Sequence, residues 1–198
     1  MKRVEDLAAL EALYPEVNPR AVSKVATRIT PCYARWIDAS RFAMMATVGP
    51  EGTDCSPRGH DGPVVRIADA QTLLMPDWRG NNRLDSLRNI VEGGRISLTF
   101  MVPGSENVVR VNGTAILTDD AGLREGFARK GLRPATVIVI TVGEVYFQCA
   151  KAIMRSRLWT SDPVEVPSAG DFLREADADF DGAEYDAGYA DYARSRMW

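Results

Sequence analysis

The chain has 198 residues, 45% of them hydrophobic and 26% charged, enough for one domain with appendages and a real core but too few for two large domains. Its net charge of −3 supplies no global positive field for nucleic acid or anionic lipid, and no apolar run reaches the ~18 residues of a membrane span. Three scattered cysteines without a CxxC (Cys32, Cys55, Cys149) fit thiols in a reducing cytoplasm, and a single histidine, His60, excludes a multi-histidine zinc site, an HExxH helix and bis-histidine haem.

At the front, VEDLAALEAL has apolar residues at helical spacing, while Glu5, Asp6 and Glu11 interrupt what a signal peptide would need as an apolar stretch. Asn18-Pro19 supplies an N-cap and an N1 proline, predicting a second helix through about Ile29. These helices make residues 1–38 an N-terminal helical segment. From Arg41 the pattern changes to strands. FAMMATV runs into the turn Gly49-Pro50-Glu51-Gly52, and TDCSP returns as its hairpin partner. VVRI, TLLMP, RISLTFMV, NVVRVNGTAIL and ATVIVITVGEVYFQC bring the total to six or seven strands. Between TLLMP and RISLTF lies a helix, NNRLDSLRNIVEG, with Leu84, Leu87, Ile90 and Val91 on one face; DAGLREGFARKG precedes the last strand. Strands joined by hairpins, helices only at corners and no βαβ repeat predict an antiparallel barrel with α decoration over 39–160. Residues 161–198 form an acidic appendage. From 162 onward 3 arginines face 10 acids, against a balance of +4 before it, and Phe180, Tyr185, Tyr189 and Tyr192 punctuate the stretch. It reads either as a partly helical segment anchored by aromatics or as a solvated tail.

There is no GxSxG elbow, Walker A loop or GxGxxG, so any redox or transfer chemistry would be borrowed from a cofactor. Four clusters offer charge for one. In Pro76-Asp77-Trp78-Arg79-Gly80-Asn81-Asn82-Arg83-Leu84-Asp85-Ser86, a strand ends and a helix begins among two arginines and two asparagines. Helix N–H groups and guanidiniums together suit a phosphate monoester, with Asn82 and Asp85 spaced for a capping box; an ordinary capped helix with solvated arginines is the alternative. Ser56-Pro57-Arg58-Gly59 is a second cluster or a plain hairpin tip, beside His60, which reads as a structural or solvent-facing histidine. Arg110 and Asn112 share one strand face, and Lys151 and Arg155 stand four apart on one helical face. Cys149 reads as a buried strand thiol.

Taken in order, SPRG, TLLMPDWRGNNRLDSLRNI, RISLTFMVPG, RVNGTA and CAKAIMRSRLW resemble the pyridoxamine phosphate oxidase-like, FMN-binding split-barrel family. The nearest likeness is the branch marked by PDxRGNNRxDSLxNI and CAKAxxRSxLW, and the resemblance covers about residues 25–160. It implies a six-stranded antiparallel Greek-key split barrel, homodimeric, with FMN bound across the subunit interface. By motif, Arg79, Asn81, Asn82 and Arg83 would hold the phosphate and ribityl end; Ser56 and Arg58 would lie along the ring or ribityl chain, and Pro76 and Asp77 would edge the isoalloxazine. Arg110, Asn112, Lys151 and Arg155 would come from the neighbouring strand or the partner subunit. The implied activity is FMN-dependent oxidation–reduction of a small molecule in the cytoplasm, the alternatives being a non-catalytic flavin-binding or sensing module and a barrel using deazaflavin. The chain departs from the pattern at His60-Asp61-Gly62-Pro63-Val64-Val65, where the branch has an aspartate and a Gly-Phe-Val-like strand start. It also carries Arg194-Ser195-Arg196-Met197-Trp198 in place of the Arg-x-His substrate signature, so vitamin B6 oxidation is not expected.

Overall fold

A computed structural model describes residues 1–198. Seven strands form one antiparallel sheet: β1 (Phe42–Gly49), β2 (Gly52–Gly59), β3 (Arg66–Asp69), β4 (Thr72–Asp77), β5 (Arg95–Met101), β6 (Val108–Thr118) and β7 (Thr136–Gln148), in the order β2-β1-β5-β6-β7-β4-β3. The count is seven rather than six because VVRI contributes only its end to a strand. Val64 and Val65 plug the core ahead of the four-residue β3, which runs along the outside of β4. No strand pairing joins β2 to β3 or β4, so hydrogen bonding does not close the sheet into a ring.

Alternation builds the core. Ala43 and Met45 of β1, Ile96, Leu98 and Phe100 of β5, and Val109 and Val111 of β6 lie almost fully buried on one face, and each residue of that size contributes about 1.5–3 kcal/mol on leaving water. The expected hairpin is present, Gly49 pairing with Gly52 around Pro50-Glu51. On β2 the same period places Asp54, Ser56 and Arg58 opposite the buried Thr47, Met45 and Ala43, so the inward face of this edge strand is polar.

Helix α4 (Asp85–Gly93) covers that face. Its buried positions are Ser86, Asn89 and Ile90, whereas Leu84 and Val91 are exposed, which corrects the expected apolar stripe. The helix turns its small and polar side towards β1 because the approach is close. A Cβ on Gly49 would stand 2.3 Å from Asn89 Oδ1, one on Gly93 would stand 2.8 Å from the Val48 carbonyl, and Asn89 Nδ2 donates to Thr47 Oγ1 at 3.2 Å. The start of α4 also differs from expectation. Leu84, with φ 63°, occupies the N-cap without a side-chain bond, Asn82 is likewise left-handed at φ 60°, and Asn81 Oδ1 accepts from the Arg83 N–H at 3.0 Å in a local turn.

The front holds α1 (Leu7–Glu11) and α2 (Pro19–Ser23), the latter capped by Asn18 as expected but ending six residues before Ile29. A further helix, α3 (Pro31–Ala39), starts from a second cap, Thr30-Pro31, and buries Ile37. After β6 comes α5 (Ala121–Glu125), and after β7 comes α6 (Lys151–Ser156). The acidic appendage is a helical pair, α7 (Ala169–Ala176) and α8 (Gly182–Arg194). A capping box of Ser168 and Asp171 starts α7, and Asp186 accepts from the Gly170 N–H at 2.9 Å. Its aromatics stack on one another, Phe180 on Tyr185 at 5.7 Å and Tyr185 on Tyr189 at 5.5 Å. No helix is long and apolar enough to cross a membrane.

Candidate functional site

β2, at one edge of the sheet, and β4, one strand in from the other, are not hydrogen-bonded to each other, yet both line one cavity of about 500 Å³. One wall is the end of β2 and the following turn, Pro57 to Asp61; the other is the end of β4 and its loop, Met75 to Gly80. Met197 and Trp198, carried back from the acidic appendage, close one side. A strand end followed by a glycine-bearing loop builds each wall, so backbone groups and side chains both reach the space.

Arg58 dominates the electrostatics. Its Nη1 donates to Ser56 Oγ at 2.9 Å and to the Pro57 carbonyl at 3.0 Å, and its Nη2 to Ser86 Oγ at 3.4 Å. Ser86 in turn donates to Asp54, so one network ties β2 to the first turn of α4. Across the gap, burial pushes the Asp77 carboxyl above the usual carboxylate range, and the nearby Arg58 opposes that shift. Two donors of cavity residues, Arg58 Nε and Trp78 Nε1, are buried with no acceptor in the protein. Such orphans are uncommon and costly, and two of them fall among the residues of one cavity.

His60 is not a free loop histidine. Its Nδ1 accepts from the Gly62 N–H at 3.0 Å, which assigns the remaining proton to Nε2. Burial lowers its pKa, aided by the Arg129 guanidinium and opposed by Asp61, so the ring is neutral at neutral pH. It stacks on Trp78 with centroids 6.3 Å apart and meets Trp198 edge-on at 5.1 Å. Trp78 and Trp198 are also edge-on at 5.3 Å, and Arg129, paired with Asp61 through both Nη atoms, lies 4.5 Å over the Trp198 ring.

Of the residues singled out from sequence, Arg58, Pro76, Asp77 and Arg79 line the cavity, and Ser56 touches it through Arg58. Asn81, Asn82 and Arg83 continue the loop from Arg79 towards α4 but are exposed, with Arg83 Nε bound to Asp85 at 2.5 Å. Arg110 and Asn112 are elsewhere, on β6. Arg110 reaches Gln148 at 3.3 Å and the Tyr146 ring, and Asn112 bridges Ser97 and Glu144 at 2.6 Å each. Lys151 and Arg155 share the exposed face of α6. Cys149 is exposed just beyond β7 rather than buried within it. The residues that sequence reasoning missed are Ser86, Asp61, Trp78, Arg129 and Trp198. Trp78 and Ser86 carry a signal, lying inside the PDWRGNNRLDS run, and so does Asp61, beside Arg58 and His60; Arg129 and Trp198 arrive from distant segments.

A family model described as pyridoxamine 5′-phosphate oxidase matches residues 29–149. A search of curated proteins found no match. Among solved structures, a histidine-to-alanine variant of HupZ from Group A Streptococcus is similar at 22% identity and a TM-score of 0.50, covering 61% of this chain and 99% of that one. A Lactobacillus delbrueckii protein provisionally assigned as a pyridoxamine 5′-phosphate oxidase is similar at 21% identity and TM-score 0.49, covering 61% and 95%. General stress protein 26 of Bacillus anthracis follows at 16% identity and TM-score 0.44, covering 58% and 88%.

Proposed function

The chain belongs to the pyridoxamine 5′-phosphate oxidase family, and from that premise we propose that it is an FMN-dependent oxidoreductase of a small molecule, built as a split barrel. The observation that carries the reading is the cavity in the open seam of the sheet, where the buried Arg58 Nε and Trp78 Nε1 await acceptors. Its volume suits a cofactor of that size, and its lining carries two guanidiniums, Arg58 and Arg79, which we assign as a cationic end, and the rings of His60 and Trp78, which we assign as an aromatic end. The residues therefore fit a group that has an anionic end and a planar end.

At the cationic end, Arg58 and Arg79 would hold the phosphate. The first turn of α4 adds N–H groups with no side-chain cap, and Asn81, Asn82 and Arg83 lie on the loop between them. Ser56 and Ser86 fix the Arg58 fork so that its Nε stays aimed away from its own hydrogen bonds. Pro76 and Asp77, which line the cavity, would edge the ring, and neutral His60 would offer a donor through Nε2 without adding charge. When bound, the flavin supplies the hydride chemistry, and the protein's share is position, desolvation and electrostatics. Arg110, Asn112, Lys151 and Arg155, which do not line this chain's own cavity, would act on the FMN of a second copy in a homodimer.

The visible spectrum of the purified protein, with mass analysis of what acid releases, tests the cofactor. Flavin bands and an FMN mass are expected; a deazaflavin mass would exchange the cofactor, and a colourless protein that takes up no added FMN would overturn the reading. Substrate-dependent bleaching of the bands separates an enzyme from a flavin-holding module. Sedimentation of the loaded protein as a monomer would remove the second copy from the site.

A further inference from the structure

One occupant is already seated at the aromatic end of the cavity. The Trp198 indole meets His60 and Trp78 edge-on and lies under the Arg129 guanidinium. Yet its chemistry does not answer its surroundings. Trp78 Nε1 and Arg129 Nε are buried donors without acceptors, and His60 presents a further N–H. The indole's π face takes the Arg129 cation, but the ring has no in-plane acceptor for these N–H groups. The seating is also shallow in a second sense. Neither Met197 nor Trp198 forms a hydrogen bond to the rest of the chain, and the last backbone bond of the segment is local, from the Arg196 N–H to the Ala193 carbonyl at 3.0 Å. The contrast is Trp159, whose Nε1 donates to the Ser105 carbonyl at 2.7 Å. Trp198 is thus held through its ring alone, in a box whose polar atoms ask for something else.

We propose that Trp198 is an intramolecular place-holder, and that the aromatic end of the cavity takes a planar heteroaromatic ring with hydrogen-bond acceptors along its edge, which displaces the indole. Edge acceptors would meet the Trp78, Arg129 and His60 donors, and the ring face would keep the stacking that the indole now supplies. Naming the ring as that of a flavin rests on the function proposed above. The consequence is a coupling: loading of the cavity releases the segment that follows α8, and the segment in turn competes with loading.

The sign of one substitution decides the matter. A protein that must first expel its own side chain binds more weakly by the fraction of molecules in which the box is already open. If the indole fills the box in about nine molecules of ten, Trp198→Ala binds a ring about tenfold more tightly, and Trp198→Phe, which keeps a smaller ring, lies between. Flavin fluorescence titrations of the full chain with FMN and with lumiflavin, which has the ring but no phosphate, read the effect. The same gain is expected for both ligands, and inorganic phosphate binding is expected to be unchanged. Equal or weaker binding of both flavins by Trp198→Ala, with normal binding by the unsubstituted chain, would overturn the place-holder and leave the cofactor reading intact. Failure of every form to bind either flavin would overturn both. Trp198→Phe guards against a variant that is merely misfolded, because its ring preserves the packing.

Discussion

Arg58 is the residue on which the cavity's electrostatics turn, and replacing it with glutamine tests that directly. In the native chain its two Nη atoms are committed to Ser56, Pro57 and Ser86, leaving Nε buried without a partner. An anion at Nε would make a charge-assisted bond, which contributes about 1.5–3 kcal/mol, or roughly 10- to 150-fold in affinity. Arg58→Gln keeps much of the length and some hydrogen bonding to the serines while removing the charge, so FMN affinity is expected to fall within that range. Arg58→Lys keeps the charge without the fork and is expected to fall less. The variant also removes the Arg58 bonds to Ser56 and Ser86 and the cation near Asp77, so a loss of about 1–3 kcal/mol in stability accompanies it, checked by urea unfolding. Affinity is read by equilibrium dialysis at two salt concentrations, the native chain losing more affinity with salt than Arg58→Gln. If Arg58→Gln and Arg79→Gln each bound FMN within about twofold of the native chain while remaining folded, the cationic end would not be the phosphate site.

Three further outcomes follow from the same geometry. Burial holds the Asp77 carboxyl above its usual range, so the native state binds that proton more tightly than the unfolded chain; its contribution to stability is complete below the ordinary carboxylate pKa and is lost as pH rises through the raised native value. Asp77→Asn is therefore expected to gain stability relative to the native chain as pH rises from acid to neutral, and a difference independent of pH in urea melts would refute it. Gly49→Ala would set a Cβ 2.3 Å from Asn89 Oδ1 and is expected to cost about 1–3 kcal/mol, read as a lower urea midpoint with an unchanged slope. Gly170→Val would drive a side chain into the Gly182 carbonyl, 2.2 Å from the Cβ position. Amide-exchange protection is expected to fall across 169–194 and to persist in β1 and β5–β7; loss in both would show that the appendage and the sheet unfold as one unit.

The parts of the fold that sequence disclosed are those written in a local code. Period-two alternation in FAMMATV and RISLTFMV gave β1 and β5, and Gly49-Pro50-Glu51-Gly52 gave their hairpin with β2 in register. Asn18-Pro19 marks the start of α2, and Thr30-Pro31 is the same signal, which the expectation of a second helix running to about Ile29 leaves unread. The start of α4 was misread for a different reason. Asn82 and Asp85 have capping-box spacing, but the chain passes through left-handed backbone at Asn82, a residue type that tolerates it, and again at Leu84, which nothing in its type announces. The buried side of α4 was misread too, since Asn89 and Ser86 turn inward only because β1 and β2 offer Thr47 and Ser56. In the candidate site, PDWRGNNR and SPRG gave the two walls, because each is a strand end with a basic residue. What brings Arg129 and Trp198 to the same place is tertiary, and neither lies in a motif.

The inward face of β2 explains why a cavity exists at all. An edge strand whose inner positions were apolar would pack against the core and draw the sheet shut. Here Asp54, Ser56 and Arg58 occupy those positions, and Pro57 removes a backbone donor from the outer edge. Closing β2 onto β4 would strip the remaining water from the Arg58 guanidinium and the Asp77 carboxyl, a desolvation cost that an apolar inner face would not carry. The network is satisfied on one side by Ser86 of α4, while Arg58 Nε is buried without an acceptor and Asp77 lines the cavity. Replacing Ser56 and Arg58 together by valine and leucine would remove the reason for the gap. That double variant is expected to stay folded, with a loss in urea no larger than that of Arg58→Gln, and to bind no FMN, whereas a cavity held open by backbone geometry alone would survive it and retain a measurable fraction of the affinity.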